Sequence, residues 1–463
     1  MKNMKVHFIA IGGSAMHNLA IALAKKGYEV SGSDDMIFEP SASRLKSYNL
    51  LPSEFGWDES KIQSDLDAVI LGMHARPDNP ELLRAQQFGL RIYSYPEYIY
   101  EQSKDKTRVV IGGSHGKTTI TSMILHVLKQ SGKDFDYLVG AQIEGFDTMV
   151  KSTSEAPVIV IEGDEYLASP IDRRSKFHLY HAHIGVISGI AWDHINVFPT
   201  FQNYVDQFSM FIDTIEPGGK LIYCEEDEAV SRVAAESKVD VAKIPYRTPE
   251  FSIVNGVTTL EVEDGKVPLE VFGKHNLLNL TAARLVCNSL GIDDHAFYEC
   301  IQSFKGAARR LELLAANNET SVYKDFAHSP SKLKATIEAV KQQYPDRKLI
   351  AVIELHTFSS LNLDFLKEYD GAMELADEAI VFIDKHTFEQ KKLTPFTETD
   401  VKAGFGNNEL KFFNNVEILE GFLSYINYKS KNLLLMSSGN FSGMDLAGLA
   451  ERATASNKEN LND

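Results

Sequence analysis

The chain has 463 residues, 44% of them hydrophobic, and 64 acidic against 47 basic side chains give a formal net charge of −17. At about 150 residues per domain this length suggests three domains, each able to bury a core. The charge excludes broad electrostatic binding to nucleic acid or to an anionic membrane. An anionic small molecule would have to be met by local donors: glycine-rich turns, helix N-termini, a few lysines or arginines, and metal ions. Cys224, Cys287 and Cys300 form no CxxC pair and have no metal-ligand spacing, so they read as reduced packing residues. No apolar run approaches the ~18 residues of a membrane span. The run at 6–11 ends in glycines rather than at a cleavage site, so it reads as a strand and not a signal peptide, and the expected location is the cytoplasm with no membrane insertion.

An apolar strand, a turn and an amphipathic helix recur along the chain, which predicts α/β domains with largely parallel sheets. In the first region, 1–105, VHFIAI reads as a buried strand, GGSAM as a turn and HNLAIALAKKG as a helix closed by Gly27. YEVSGSD is a second strand ending at Asp34, AVILGM a later one, and the polar stretch 101–107 a linker. The second region, 106–308, opens with the strand RVVIGG, followed by SHGKTT and the helix ITSMILHVLKQSG; APVIVIEGDE and HIGVISGI are further strands. In the third region, 309–463, SVYKDFAHSP, KLIAVIE, EAIVFI and NLLLMSSG are strand candidates separated by helical patterns, as in a dinucleotide-binding fold, and 453–463 is a polar, frayed tail.

The strongest chemical signal is Gly113-Ser114-His115-Gly116-Lys117-Thr118-Thr119 between a strand and a helix. Glycines let backbone N–H groups approach phosphate oxygens, the helix N-terminus adds positive potential, Lys117 can reach β- and γ-phosphates, and Thr118 can ligate Mg²⁺. Ile111 stands where the strict phosphate-loop pattern wants its first glycine. Glu162-Gly163-Asp164-Glu165 ends the next strand, and carboxylates beside a phosphate loop suit Mg²⁺. Singly, the remaining motifs have ordinary readings. Asp193-His194 could be a core or surface pair. Phe272 to Asn279 opens a helix at which Asn276 could be an N-cap. Arg309-Arg310 could be surface charge, or a hinge pair that swings toward a γ-phosphate. Asp325-Phe326-Ala327-His328-Ser329-Pro330 ends a strand and caps a helix, a common place for site residues in open α/β sheets. Gly12-Gly13-Ser14 with Asp34 about twenty residues on resembles a degraded dinucleotide fingerprint, with Ala10 and Ala15 in two of its glycine places.

Taken together and in this order, GxxGKTT, EGDE, DH, GKHNLLN, RR and DFAHSP resemble the Mur ligases over nearly the whole chain. The resemblance implies a Rossmann-like UDP-sugar domain, a central phosphate-loop ATPase-type domain and a Rossmann-like acceptor domain. It implies an ATP-dependent carbon–nitrogen ligase that uses ATP and Mg²⁺ on small-molecule substrates. By motif match, Gly113, Ser114, His115, Gly116, Lys117, Thr118 and Thr119 bind ATP phosphates, and His275, Asn276 and Asn279 lie on the adenine side. Arg310, with Arg309 beside it, contacts the phosphates, and Asp325 faces the nucleotide. Thr118, Glu162 and His194 are the expected metal ligands, and Lys117, Glu162, His194 and Arg310 the expected catalytic set. Gly12, Gly13, Ser14 and Asp34 match the UDP-binding turn; His328 and His356 fall on the acceptor side.

Ser209 stands 15 residues after His194, where several family members carry a carbamylated lysine. This departure is similar to the subgroup that acts on the lactyl carboxylate of UDP-N-acetylmuramate. One member of that subgroup reattaches the recycled tripeptide L-Ala-γ-D-Glu-meso-diaminopimelate; another adds L-alanine in de novo synthesis. DRRSKF at 172–177 and SSGNFSGMD at 437–445 resemble the first, which is the expected activity, with the second as the alternative. The segment 354–360, ELHTFSS, lacks both the arginine-rich pattern of the alanine-adding member and the Glu-Pro-Arg of the recycling one.

Overall fold

The computed structural model describes residues 4–194, 196–254, 256–263, 265–307 and 310–455. Arg309 and the tail from 456 lie outside the described residues; the last helix runs to Thr454. Two compact units are distinguishable: 1–192 with 199–247 and 280–300, and 193–198 with 248–279 and 301–463.

The first unit holds two sheets. A four-stranded parallel sheet has the order Glu29–Ser33, Lys5–Ile9, Ala68–Leu71, Ile92–Ser94. Its central strands are buried on both faces because helices such as Ser14–Lys25 cover the sheet, and the buried His7 of Lys5–Ile9 is satisfied by Ser31 and Glu81. A seven-stranded sheet has the order Ala242–Tyr246, Lys220–Cys224, Ile184–Ile187, Thr107–Gly112, Val158–Glu162, Asp136–Leu138, Val150–Lys151. Its pairings are parallel except the last. Thr107–Gly112 is the middle strand, so its C-terminal end delivers the glycine turn to the centre of the sheet edge, flanked by the ends of Val158–Glu162 and Ile184–Ile187. The helix Phe201–Asp213 buries one face against this sheet, with Phe211 stacked on Phe177 at 4.7 Å between ring centroids.

The segment 101–107, expected as a linker, is instead a packed connection. Ser103, Lys106 and Arg108 are buried. Arg108 donates to the carbonyls of Ser103 and Tyr180, at 3.0 and 2.9 Å, and Lys106 to those of Thr153 and Ala156, at 2.9 and 2.8 Å. Long polar side chains look solvated in a sequence, but each here has a ring of carbonyl acceptors waiting in the fold.

The second unit carries a six-stranded sheet in the order Glu312–Ala316, Ser321–Asp325, Lys431–Met436, Lys348–Glu354, Glu378–Phe382, Lys411–Phe413, parallel except for the first pair. Apolar clusters fill both of its faces. It also contains an antiparallel three-stranded sheet, Phe251–Val254, Val257–Val262 and Gly265–Leu269, which the largely parallel expectation did not include. The side chains of Thr258 and Gln343 join this small sheet to the helix Pro330–Gln343 at 2.9 Å. Among the described residues no helix is long and apolar enough to cross a membrane.

Candidate active site

The turn after Thr107–Gly112 requires its glycines. Gly113 has φ +133°, and a Cβ there would collide with Ser188 Oγ. Gly116, at φ +80°, caps the helix Lys117–Gln130. The Ser114 N–H donates to the Gly189 carbonyl at 2.9 Å, and Ser188 Oγ donates to the His115 carbonyl, so the turn is held by the neighbouring strand end.

Lys117 Nζ donates to the Gly113 carbonyl at 2.6 Å and to Glu165 Oε2 at 2.7 Å. Thr118 Oγ1 donates to Glu162 Oε1 at 2.8 Å, and Glu162 Oε2 accepts the Gly140 N–H at 2.7 Å. Lys176 Nζ pairs with Asp164 Oδ2 at 2.6 Å. Burial would lower the Lys117 ammonium, but Glu165 and Asp164 outweigh it and hold it above its ordinary value. Burial would raise Asp164, but Lys176 and then Lys117 pull it well below the usual carboxylate range. The result is a fixed alternation of two lysines and three acidic side chains at the mouth of a helix N-terminus. Such a site can take a polyphosphate on the lysine and the helix end. Thr118 and Glu162, 2.8 Å apart, offer adjacent hard oxygen donors of the kind Mg²⁺ uses. Asp164 and Glu165 belonged to the acidic cluster read as suited to Mg²⁺, but their pairing with Lys176 and Lys117 was not assigned from the sequence. EGDE gave no way to tell which carboxylate meets Lys117, and Lys176 drew notice only as part of DRRSKF.

At the other turn of the first unit, Ala10 takes φ +69° and the Gly12 N–H donates to Asp34 Oδ2 at 2.7 Å. A Cβ on Gly12 would lie 2.9 Å from that oxygen. Burial raises the Asp34 carboxyl. Asp34 therefore shapes the turn containing Gly13 and Ser14, whose side chain contacts Met149 Sδ at 3.9 Å.

In the second unit, His275, Asn276 and Asn279 lie in the first turns of the helix Lys274–Ser289. Asn276 is inside the helix rather than its N-cap, and its Nδ2 donates to the Phe272 carbonyl at 2.9 Å. The Arg310 guanidinium lies over the Phe326 ring at 4.9 Å and faces Asp325. Asp325, raised by burial, accepts the Leu311 and Ala327 N–H groups at 2.6 and 2.7 Å. His194 sits at φ +56°, with its N–H on Asp193 Oδ1 at 2.7 Å; Asp193 lies 4.0 Å from Lys332. His328 follows the Ser321–Asp325 strand, and burial, with Lys332, lowers it to about 4. His356 follows Lys348–Glu354 and is half-buried; its Nδ1, like Ser438 Oγ, has no partner among the described residues.

Burial, and then the Arg310 charge, lowers His275 to about 4. An unfolded imidazole titrates near pH 6.5. Between pH 6.5 and about 4 the unfolded chain therefore binds the extra proton, and stability falls as pH falls across that window, by at most about 1.4 kcal/mol per pH unit from this group. Denaturant unfolding at a series of pH values should show that slope, and His275→Asn should flatten it. An unchanged slope in the variant would assign the effect elsewhere.

A glycine turn at a strand end of a parallel sheet, leading into a helix and set beside clustered carboxylates, is the arrangement of a nucleotide-binding α/β protein. Three family models match: "Mur ligase family, catalytic domain" over residues 5–107, "Mur ligase middle domain" over 111–287 and "Mur ligase, glutamate ligase domain" over 309–417. A UDP-N-acetylmuramate–L-alanine ligase from Carboxydothermus hydrogenoformans is 30% identical over 97% of both chains. Among solved structures, a UDP-N-acetylmuramate–alanine ligase from Thermotoga maritima aligns at TM-score 0.68 and 23% identity, covering 97% of this chain and 98% of that one. A murein peptide ligase from Psychrobacter arcticus aligns at 0.64 and 22%, with the same coverage. The chain belongs to the Mur ligase family. It is an ATP-dependent, amide-bond-forming ligase of peptidoglycan synthesis.

Proposed function

We propose that the protein joins the lactyl carboxylate of UDP-N-acetylmuramate to L-alanine, as a cytoplasmic step of peptidoglycan synthesis. The observation that carries this reading is the curated relative, named for that reaction, at 30% identity over 97% of both chains. It reverses the order of the two expectations drawn from the sequence, which put the recycled tripeptide first. The tripeptide remains the second reading because both segments that suggested it lie in functional surroundings. Lys176 of DRRSKF pairs with Asp164 beside the phosphate turn. Ser437 Oγ, and the Phe441 N–H at 2.8 Å, bind Glu354 next to His356.

The reading keeps three domains: 1–105 for the UDP-sugar, 106–308 for ATP and 309–463 for the acceptor. In it, the γ-phosphate of ATP passes to the lactyl carboxylate, giving an acyl phosphate and ADP. The acceptor amine then attacks, and the tetrahedral adduct collapses to the amide and phosphate. Phosphoryl transfer depends on positioning and charge neutralisation more than on covalent help. Lys117 supplies a charge held above its ordinary pKa, and Arg310 a guanidinium kept in place by the Phe326 ring. His275, Asn276 and Asn279 receive the adenine side, and Gly12, Gly13, Ser14 and Asp34 shape the UDP-sugar turn. Mg²⁺, held by Thr118, Glu162 and His194, would neutralise phosphate charge. His328, at about 4, is neutral at pH 7 and weakly basic, so with His356 it suits acceptor contacts better than amine deprotonation.

The test is phosphate release from ATP with UDP-N-acetylmuramate and either acceptor. L-alanine should exceed the tripeptide by at least about tenfold in kcat/KM, or 1.4 kcal/mol of transition-state discrimination. The reverse ratio would establish the tripeptide reading, and release with neither would sink both.

A further inference from the structure

The phosphate turn is tied to its lysine by a buried chain of hydroxyls that the reaction scheme does not use. The Ala191 N–H donates to Ser114 Oγ at 2.8 Å. Ser114 Oγ lies 2.9 Å from Tyr204 OH, and Tyr204 OH donates to Glu165 Oε1 at 2.9 Å. The other oxygen of Glu165 holds Lys117 at 2.7 Å. The single proton of Tyr204 is committed to Glu165, so Ser114 must be the donor between the two hydroxyls. Its own oxygen is then left to accept from Ala191. The whole chain therefore runs in one direction, from backbone amide to carboxylate, and such chains polarise each link.

The location makes this more than core satisfaction. Tyr204 is fully buried, and its ring packs edge-on against Phe208 at 5.3 Å, which fixes where the hydroxyl points. Ser114 belongs to the phosphate turn, Glu165 to the loop after Val158–Glu162, and Tyr204 to the helix Phe201–Asp213. One phenol thus joins three separate elements at the group that sets the Lys117 ammonium. A carboxylate held only by Lys117 could rotate about its terminal bond, whereas one held at both oxygens cannot.

We propose that Tyr204 is a positioning residue for phosphoryl transfer. It locks the Glu165 carboxylate, and through it the approach of Lys117 to the transferred phosphate, while keeping the turn in register through Ser114. The proposal rests on the phosphate-binding role given to Lys117 and is independent of which acceptor is used.

Tyr204→Phe keeps the packed ring and deletes the hydroxyl. Steady-state phosphate release by the full-length enzyme should show kcat lowered about tenfold or more, the order expected for losing a buried hydrogen bond to a charged group. KM for UDP-N-acetylmuramate should change by less than about twofold, since that turn is on another sheet. Combined with Glu165→Gln, the two losses should be strongly non-additive, because both act through one carboxylate. Turnover by Tyr204→Phe within about twofold of wild type would overturn the proposal. So would losses that add with those of Glu165→Gln while the melting temperature and every KM move together, the signature of a structural role only. If Tyr204→Phe does not fold, Glu165→Gln alone takes its place: kcat should again fall about tenfold or more, and turnover within about twofold of wild type would overturn the proposal, because the carboxylate that Tyr204 holds would then not matter. Lys117→Ala, assayed alongside, separates the two ideas: wild-type turnover there would remove the role of Lys117 and the proposal with it, whereas a large loss there beside an unaffected Tyr204→Phe would overturn the coupling through Tyr204 alone.

Discussion

Lys117→Ala should reduce ligation by at least about 10³-fold, the scale on which charge-stabilising groups act in phosphoryl and acyl transfer. The ammonium stands at the N-terminal end of the helix Lys117–Gln130, bonded to the Gly113 carbonyl and Glu165, where an incoming phosphate would replace contacts already formed. The variant also leaves Glu165 buried without its cation, so some stability is lost with activity. The two effects separate through UDP-N-acetylmuramate. The Gly12–Ser14 turn lies on the four-stranded sheet, and the folded variant should still be protected by that ligand against thermal unfolding. Near wild-type ligation would remove Lys117 from the site. Loss of both activity and ligand protection would mean that the first unit no longer folds.

The largest stability effect is expected far from the chemistry. Lys106 and Asp136 form an ion pair at 3.0 Å with side chains 3% and 0% exposed. The ammonium uses its other donors on the Thr153 and Ala156 carbonyls. The carboxylate accepts the Thr153 N–H and hydroxyl, both at 2.9 Å. Asp136→Ala strands a charge among neutral carbonyls and should cost about 3–5 kcal/mol in denaturant unfolding. Replacing both partners with apolar residues of similar volume should recover much of that loss, since the pair itself also carries a desolvation cost. A loss below about 1 kcal/mol for Asp136→Ala would place the pair in water, like the exposed Lys402–Glu398 contact.

These two residues mark the boundary of what can be read along a chain. The strand–turn–helix that carries Lys117 was legible because its evidence is local: a strand, two glycines needed at positive φ, and a helix start lie within a dozen positions. The same holds for the parallel strands Thr107–Gly112 and Lys348–Glu354, whose burial on both faces leaves apolar runs at 109–111 and 349–353. Lys106 sits in a polar stretch that looked like a linker, because its acceptors lie 47 and 50 residues away. The antiparallel strands Val257–Val262 and Gly265–Leu269 went unread because both are short and only partly buried, and Pro268 inside the second argues against a strand.

By itself the sequence determined the class of fold, the position of the glycine turn before Lys117 and the family, since glycine placement and apolar periodicity are properties of neighbouring residues. Only the tertiary structure decided which of the acidic residues in EGDE holds Lys117 and which holds Thr118. It alone made Lys176 the partner of Asp164, and it alone brought a tyrosine 39 residues from Glu165 to complete the network. The physical reason is that side-chain pairing at strand ends depends on how neighbouring strands are ordered in the sheet. Here Thr107–Gly112 lies between two strands that both follow it in the chain, an order that local residue patterns do not encode.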